Sequence, residues 1–202
     1  MALNLAQFQS SLKSIFQSTD WGVFSDFLGD SIASYIESGD CMTTVTATVT
    51  PPFPLTPYTA SGKGKGSIQL SGTEIMKITI KAKFTSTSTV WADLGKIIGD
   101  AIDANVTTGT ITTTVSPAYG GILQGTGSGT PGCVSTVAVK NTLDLDLTDA
   151  FTGIAFNQSY DAVAIKIASA IDSYIKGSIV TTTDSGTVPV NTWVGTGTGN
   201  IQ

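Results

Sequence analysis

The stretch SIASYIESG at Ser31–Gly39 returns as AIDANVTTG at Ala101–Gly109 and as AIDSYIKGS at Ala170–Ser178, at offsets of 70 and 69 residues. A short match of this kind marks an internal repeat only if it extends in both directions. Upstream, each copy carries four apolar residues at i, i+4 spacing: Phe24/Leu28/Ile32/Ile36, Leu94/Ile98/Ile102/Val106 and Val163/Ile167/Ile171/Ile175. That spacing draws one stripe along an amphipathic helix. Trp21, Trp91 and Tyr160 stand before the three stripes. Asp20 and Ser159 are the expected N-caps of copies one and three. Copy two has Val90 at that place, which leaves Thr89 as its candidate cap. Gly39, Gly109 and Gly177 are expected to end the helices as left-handed caps.

A second ladder lies further upstream: Phe8/Leu12/Phe16, Met76/Ile80/Phe84 and Leu143/Leu147/Phe151. Taken alone, Met76–Phe84 alternates like a strand. Its counterparts do not alternate, and reading the three copies together favours a helix. Downstream, each copy turns Thr/Val-rich, at Thr43–Thr50, Thr110–Ser116 and Ile179–Thr183, with the alternation of a half-buried strand. Pro51-Pro52, Pro117 and Pro189 are the expected turns, and glycine-alternating segments follow at Gly62–Gln69, Gly125–Gly132 and Gly195–Gln202. In copy two GTPG replaces the closing residues, so its last strand is expected to be missing or redirected. The fold class is therefore α+β, three tandem helix–helix–strand–turn–strand units at 1–70, 71–137 and 138–202. One such unit buries little core. Three can share one, either closed about a pseudo-threefold axis or stacked in a row, and the pattern leaves both open.

Composition narrows function by exclusion. The 202 residues contain no His, and all ten basic residues are Lys, so His-based acid–base catalysis, His-ligated metals and Arg phosphate clamps have no residues to use. A net charge of −5 argues against a dedicated nucleic-acid binder. Cys41 and Cys133 form neither a zinc site nor a disulfide framework, and both thiols are expected to be free. The N-terminal residues lack the features of a signal peptide, and no apolar run approaches membrane-spanning length.

The remaining motifs read as structural. Gly62–Ser67, GKGKGS, has the wrong spacing for a phosphate loop, and its counterpart at Gly195–Gly199 has Thr in place of Lys. Alternate glycines leave one strand face bare for close approach of another backbone, and in the Gly195–Gln202 tail that face is expected to suit a neighbouring subunit. Asp144–Asp149 lacks the Gly and Glu of a calcium loop. Lys63, Lys65, Lys77, Lys81 and Lys83 read as a solvated basic face. Asp30/Asp100 and Asp103/Asp172 read as surface or capping carboxylates, because a catalytic pair is asymmetric. Trp21, Trp91 and Tyr160 are assigned to core packing or hydrophobic stapling. No GxSxG elbow or fitting SxxK occurs. No catalytic, cofactor-binding or metal-ligating residue is assigned.

The combination of Ile167–Lys176, a Thr/Val strand and a terminal GTGTGNIQ at Gly195–Gln202 resembles poorly characterised virion structural proteins of tailed bacteriophages. The resemblance implies a non-enzymatic virion component, assembled in the host cytoplasm in multiple copies with other virion proteins, without nucleic acid, membrane or cofactor. A capsid decoration or head–tail (neck) position is favoured. The alternative is a tail, baseplate or receptor- and carbohydrate-binding repeat module that would use Trp21, Trp91, Tyr160 or Trp193.

Overall fold

The computed structural model describes residues 3–17, 20–52, 54–85, 91–117, 123–129, 133–134, 137–155, 158–188 and 191–202. Among the described residues, six helices and seven strands follow in three sets. The first is α1 (Leu5–Ile15), α2 (Trp21–Glu37), β1 (Cys41–Thr50) and β2 (Tyr58–Gln69). The second is α3 (Thr73–Phe84), α4 (Trp91–Thr107), β3 (Thr110–Pro117), β4 (Gly125–Gly129) and β5 (Cys133–Val134). The third is α5 (Val137–Ala155), α6 (Tyr160–Gly177), β6 (Ile179–Val188) and β7 (Asn191–Ile201).

The strands are antiparallel in the order β4-β3-β2-β1-β7-β6, and β4 pairs with β6 to close a six-stranded barrel. The three units therefore close on themselves rather than stack. The registers repeat accordingly: Ile111 faces Ile68 across one seam, Cys41 faces Ile201 across the next, and Val180 faces Cys133 across the third. The last strand of copy two is thus present but split. Four residue steps separate Gly129 from Cys133, against two from Gly66 to Ile68, so β4 and β5 together fill the place that β2 and β7 fill unbroken.

The helices form a ring in which each contacts the next, and α6 contacts α1. Both ladders point into it. Every residue of the twelve-residue inner stripe is at most 1% exposed. α3 is helical, as the repeat comparison requires, because Met76 and Ile80 join the same core as Leu12 and Leu147. The ladder-ending Phe16 and Phe84 meet Phe24 edge-on at 5.1 and 4.9 Å, and Phe84 lies 6.2 Å from Phe151. Cys41, Ile68, Ile111, Val180 and Ile201, at the strand ends nearest the helices, continue this core into the barrel.

Local signals hold in part. The Asp20 carboxylate accepts from the Gly22 and Val23 amides, and Ser159 Oγ accepts from Ala162, so both cap as expected. Thr89 lies outside the described residues. Gly39, Gly109 and Gly177 do not adopt the left-handed conformation. Packing explains the first two: a methyl group on Gly39 would strike Ile201, and one on Gly109 would sit 3.0 Å from Ile68 Cδ1. Gly177 is the last residue of α6 itself. Pro117 ends β3, paired with Gly62, and the turn expected there and at Pro189 lies outside the described residues.

Ile171, fully buried mid-stripe, tests the shared core. Ile171→Ala is expected to lower the unfolding free energy by about 2–5 kcal/mol, measured by denaturant titration.

Candidate functional site at the barrel axis and the seams

Strand alternation sends every second residue to the barrel interior. From β1, β3 and β6 these are Thr43/Thr113/Thr182 and, one layer further from the helices, Val45/Val115/Asp184. From β2, β4 and β7 they are glycines. Eight strands enclose just enough room for side chains, so six enclose less, and only alternate strands can contribute them. A methyl group on Gly66 would collide with the Thr112 carbonyl, on Gly199 with that of Met42, and on Gly129 with that of Thr181. In each case the obstacle is the main chain of the adjoining unit, across the seam. The bare glycine face of Gly195–Gly199 is therefore used inside the barrel, not against a neighbouring subunit. The far end of the barrel is filled by Val45, Ala47, Val49, Val115, Leu123 and Trp193. Trp193 Nε1 donates to the Gln124 carbonyl at 3.2 Å.

Between this cluster and the helix core lies the threonine layer, which Asp184 faces from the Val45/Val115 layer. Asp184 is fully buried where the other units have valine. Its carboxylate accepts from Thr182 Oγ1 at 2.8 Å and from Thr113 Oγ1 at 3.3 Å. Burial pushes its pKa up, and the two hydroxyl bonds offset this in part. Thr43 Oγ1, the third member of the threonine layer, is buried without a hydrogen-bond partner.

The helix seams carry a second set of repeat-related contacts. Tyr35 Oη donates to Asp172 Oδ1 at 2.5 Å, and Tyr174 Oη donates to Asp103 Oδ1 at 2.6 Å. Each bond joins one unit to another. Burial, then the bond to Asp172, raises the Tyr35 pKa, so the phenol is firmly held as a donor. At the third seam the repeat would pair residue 105 with residue 33. There Asn105 replaces Tyr and Ala33 replaces Asp, so both partners are lost together. Asn105 Oδ1 instead accepts from the Gly72 amide at 2.8 Å. Asp103 and Asp172 are thus ties between units rather than surface or capping groups.

Asp30 and Asp100 also reach the next unit. Asp30 pairs with Lys77 at 2.9 Å, and Asp100 pairs with Lys140 at 2.6 Å. Burial alone would raise the Asp100 pKa, but the Lys140 and Lys96 ammonium groups outweigh it and lower the pKa. The basic cluster is largely neutralised by the chain's own carboxylates: Lys65 meets Asp40 at 3.0 Å, Lys77 meets Asp30 and Glu74, and Lys81 meets Asp26 at 3.6 Å. Asp144 lies on α5 as read, bound to Lys140. Tyr160 is 55% exposed and stacks on Phe16 with centroids 5.7 Å apart, so it flanks the core rather than filling it. The side chains of Trp21, Trp91 and Cys133 lie outside the described residues; Cys41 is buried.

One signal went unread in the sequence. Ser25/Gly95/Ala164 and Gly29/Gly99/Ala168 are small at matching places, one turn apart, on α2, α4 and α6. There the first helix of the adjoining unit crosses closely: a methyl group on Gly95 would strike the Thr148 main chain, and one on Gly29 would strike Lys77. A groove of about 240 Å³ between α1 and α2 is lined by Asn4, Gln7, Ser11, Ser31 and Ser34. Its counterpart between α3 and α4, about 190 Å³, is lined by Ile75, Met76, Ala101 and Ala104, so position is kept while chemistry is not. Among the described residues, no three His, Cys, Asp or Glu are placed to share a metal ion, and no helix is long and apolar enough to cross a membrane. Comparison with protein-family models, curated proteins and solved structures finds no match.

Two measurements check this site. Gly199→Ala is expected to destabilise by about 1–3 kcal/mol or more. Gly177→Ala, whose added methyl group meets nothing nearer than 3.3 Å, should stay within about 1 kcal/mol of wild type. Tyr35→Phe and Tyr174→Phe should each lower stability by about 1–3 kcal/mol in denaturant titrations, since each removes a bond to a carboxylate.

Proposed function

We propose that the chain is a structural component of a tailed-bacteriophage virion, a capsid decoration or head–tail component that acts by protein–protein assembly without catalysis. The resemblance at Ile167–Lys176 and Gly195–Gln202 supplies the class. The observation that carries the position is the closure of three units around one axis, which gives a single chain the outline of a trimer. Such an outline suits a threefold or quasi-threefold site on a shell, or a place where symmetry must be matched.

The closed barrel argues for docking through outer faces rather than strand addition. β2 is paired on both sides, with β1 and β3, β7 with β1 and β6, and β4 with β3 and β6, so the three glycine strands are each flanked by two others. Ile78 and Leu145, at matching places on α3 and α5, are 66% and 69% exposed and place apolar side chains on the outer surface of the helix layer. The carbohydrate-binding alternative loses Trp193, which lies inside the barrel.

Mass spectrometry of particles purified from the source is the direct test. The chain is expected at fixed stoichiometry, with density for it at a threefold site or the neck in particle reconstructions. Its absence from intact particles, with presence only in the soluble fraction, would overturn the reading.

A further inference from the structure

Among the described residues, the barrel interior contains one carboxylate, surrounded by groups that cannot neutralise it. The inward residues of β1, β2, β3, β4 and β7 at described positions, Tyr58 at the exposed outer end of β2 aside, are Cys, Thr, Val, Ala, Gly, Ile and Trp. Apart from Asp184, the one ionisable side chain among them is the Cys41 thiol, in the layer next to the helices. No ion pair to Asp184 occurs among the described residues, and its partners are two neutral hydroxyls. An ionised carboxylate in such a setting costs several kcal/mol, and a protonated one avoids most of that cost.

Its position makes the charge state matter. Asp184 pairs with Gly127 in the β4–β6 ladder, the seam that closes the barrel. Among the described residues that seam is split, with four pairs from Gly125↔Gly186 to Ser128↔Thr183 and two more where β5 meets β6, whereas β1–β7 runs unbroken from Cys41↔Ile201 to Thr50↔Thr192. Gly127 has no side chain, so the carboxyl group lies over it and reaches Thr113 on β3. One group thus ties β6 to β3 across the seam with the fewest pairs among the described residues.

We propose that Asp184 is a proton-held clasp: the barrel closes around the neutral acid, and ionisation weakens the β4–β6 seam. The sign follows from linkage. An acid bound to its proton more tightly in the folded state gives stability that is complete below its unfolded pKa, about 3.9, and lost as pH rises through the folded one. The chain has no His, so no side chain has its ordinary pKa between pH 5 and 8, and a ratio to a variant lacking Asp184 cancels what the α-amino group contributes there.

The experiment is denaturant unfolding of the full chain and of Asp184→Asn between pH 5 and 8. The ratio of the wild-type to the Asp184→Asn unfolding constant is expected to rise about tenfold per pH unit until the folded pKa is passed. A ratio that stays flat over this range overturns the proposal. Asp184→Val, which copies Val45 and Val115, replaces Asp184→Asn as the reference if the latter does not fold. Should neither fold, the carbon-13 shift of the Asp184 carboxyl in wild type decides: an acid shift at pH 6 supports the clasp, and a carboxylate shift overturns it.

Discussion

A six-stranded barrel is too narrow for six sets of inward side chains, and the rest of the structure is arranged around that limit. Three strands carry Thr and Val inward and three carry glycine, in strict alternation around the barrel. The glycines do more than make room. They let the main chain of each unit pass directly against that of the next. Closure of the barrel in turn fixes the helices as a ring, because each hairpin is joined to its own helix pair. The helix ring repeats the device at lower intensity, with Ser, Gly or Ala wherever a helix of the adjoining unit crosses.

The threefold relation is used where it is cheap to keep and broken where units have specialised. Apolar ladders, strand registers and glycine positions are nearly uniform. Polar ties are not: two tyrosine–aspartate bonds join units, and at the third seam both partners have changed together. Loss of only one would leave a buried phenol or carboxylate short of its bond, which costs more than losing both. Asp184 is the sharpest departure, a carboxyl group in a place built for valine, serving two of three threonine hydroxyls and leaving Thr43 without a partner. A symmetric core would have been the simpler solution, and this asymmetry is where the molecule's chemistry differs from its scaffold.

Much of the fold was legible because three copies report on one structure. Met76–Phe84 alternates like a strand, yet its repeat partners forbid that reading, and it is a helix. Asp20 and Ser159 could be read as caps because capping depends on neighbours along the chain. Gly39 and Gly109 could not be read correctly, because their purpose is contact with Ile201 and Ile68, residues distant in sequence. Likewise Trp193 looked available for binding, and only its place at the end of the barrel shows that it is core.

The sequence by itself determined the unit, its order of elements, and which face of each helix and strand is apolar, since periodicities of 3.6 and 2 are properties of the local chain. Tertiary structure decided what those faces meet. Closure rather than stacking follows from pairing β4 with β6, a contact between units that no local pattern encodes. The bare glycine face could have suited a neighbouring subunit or the interior. It faces inward because a barrel of six strands has room for nothing larger there.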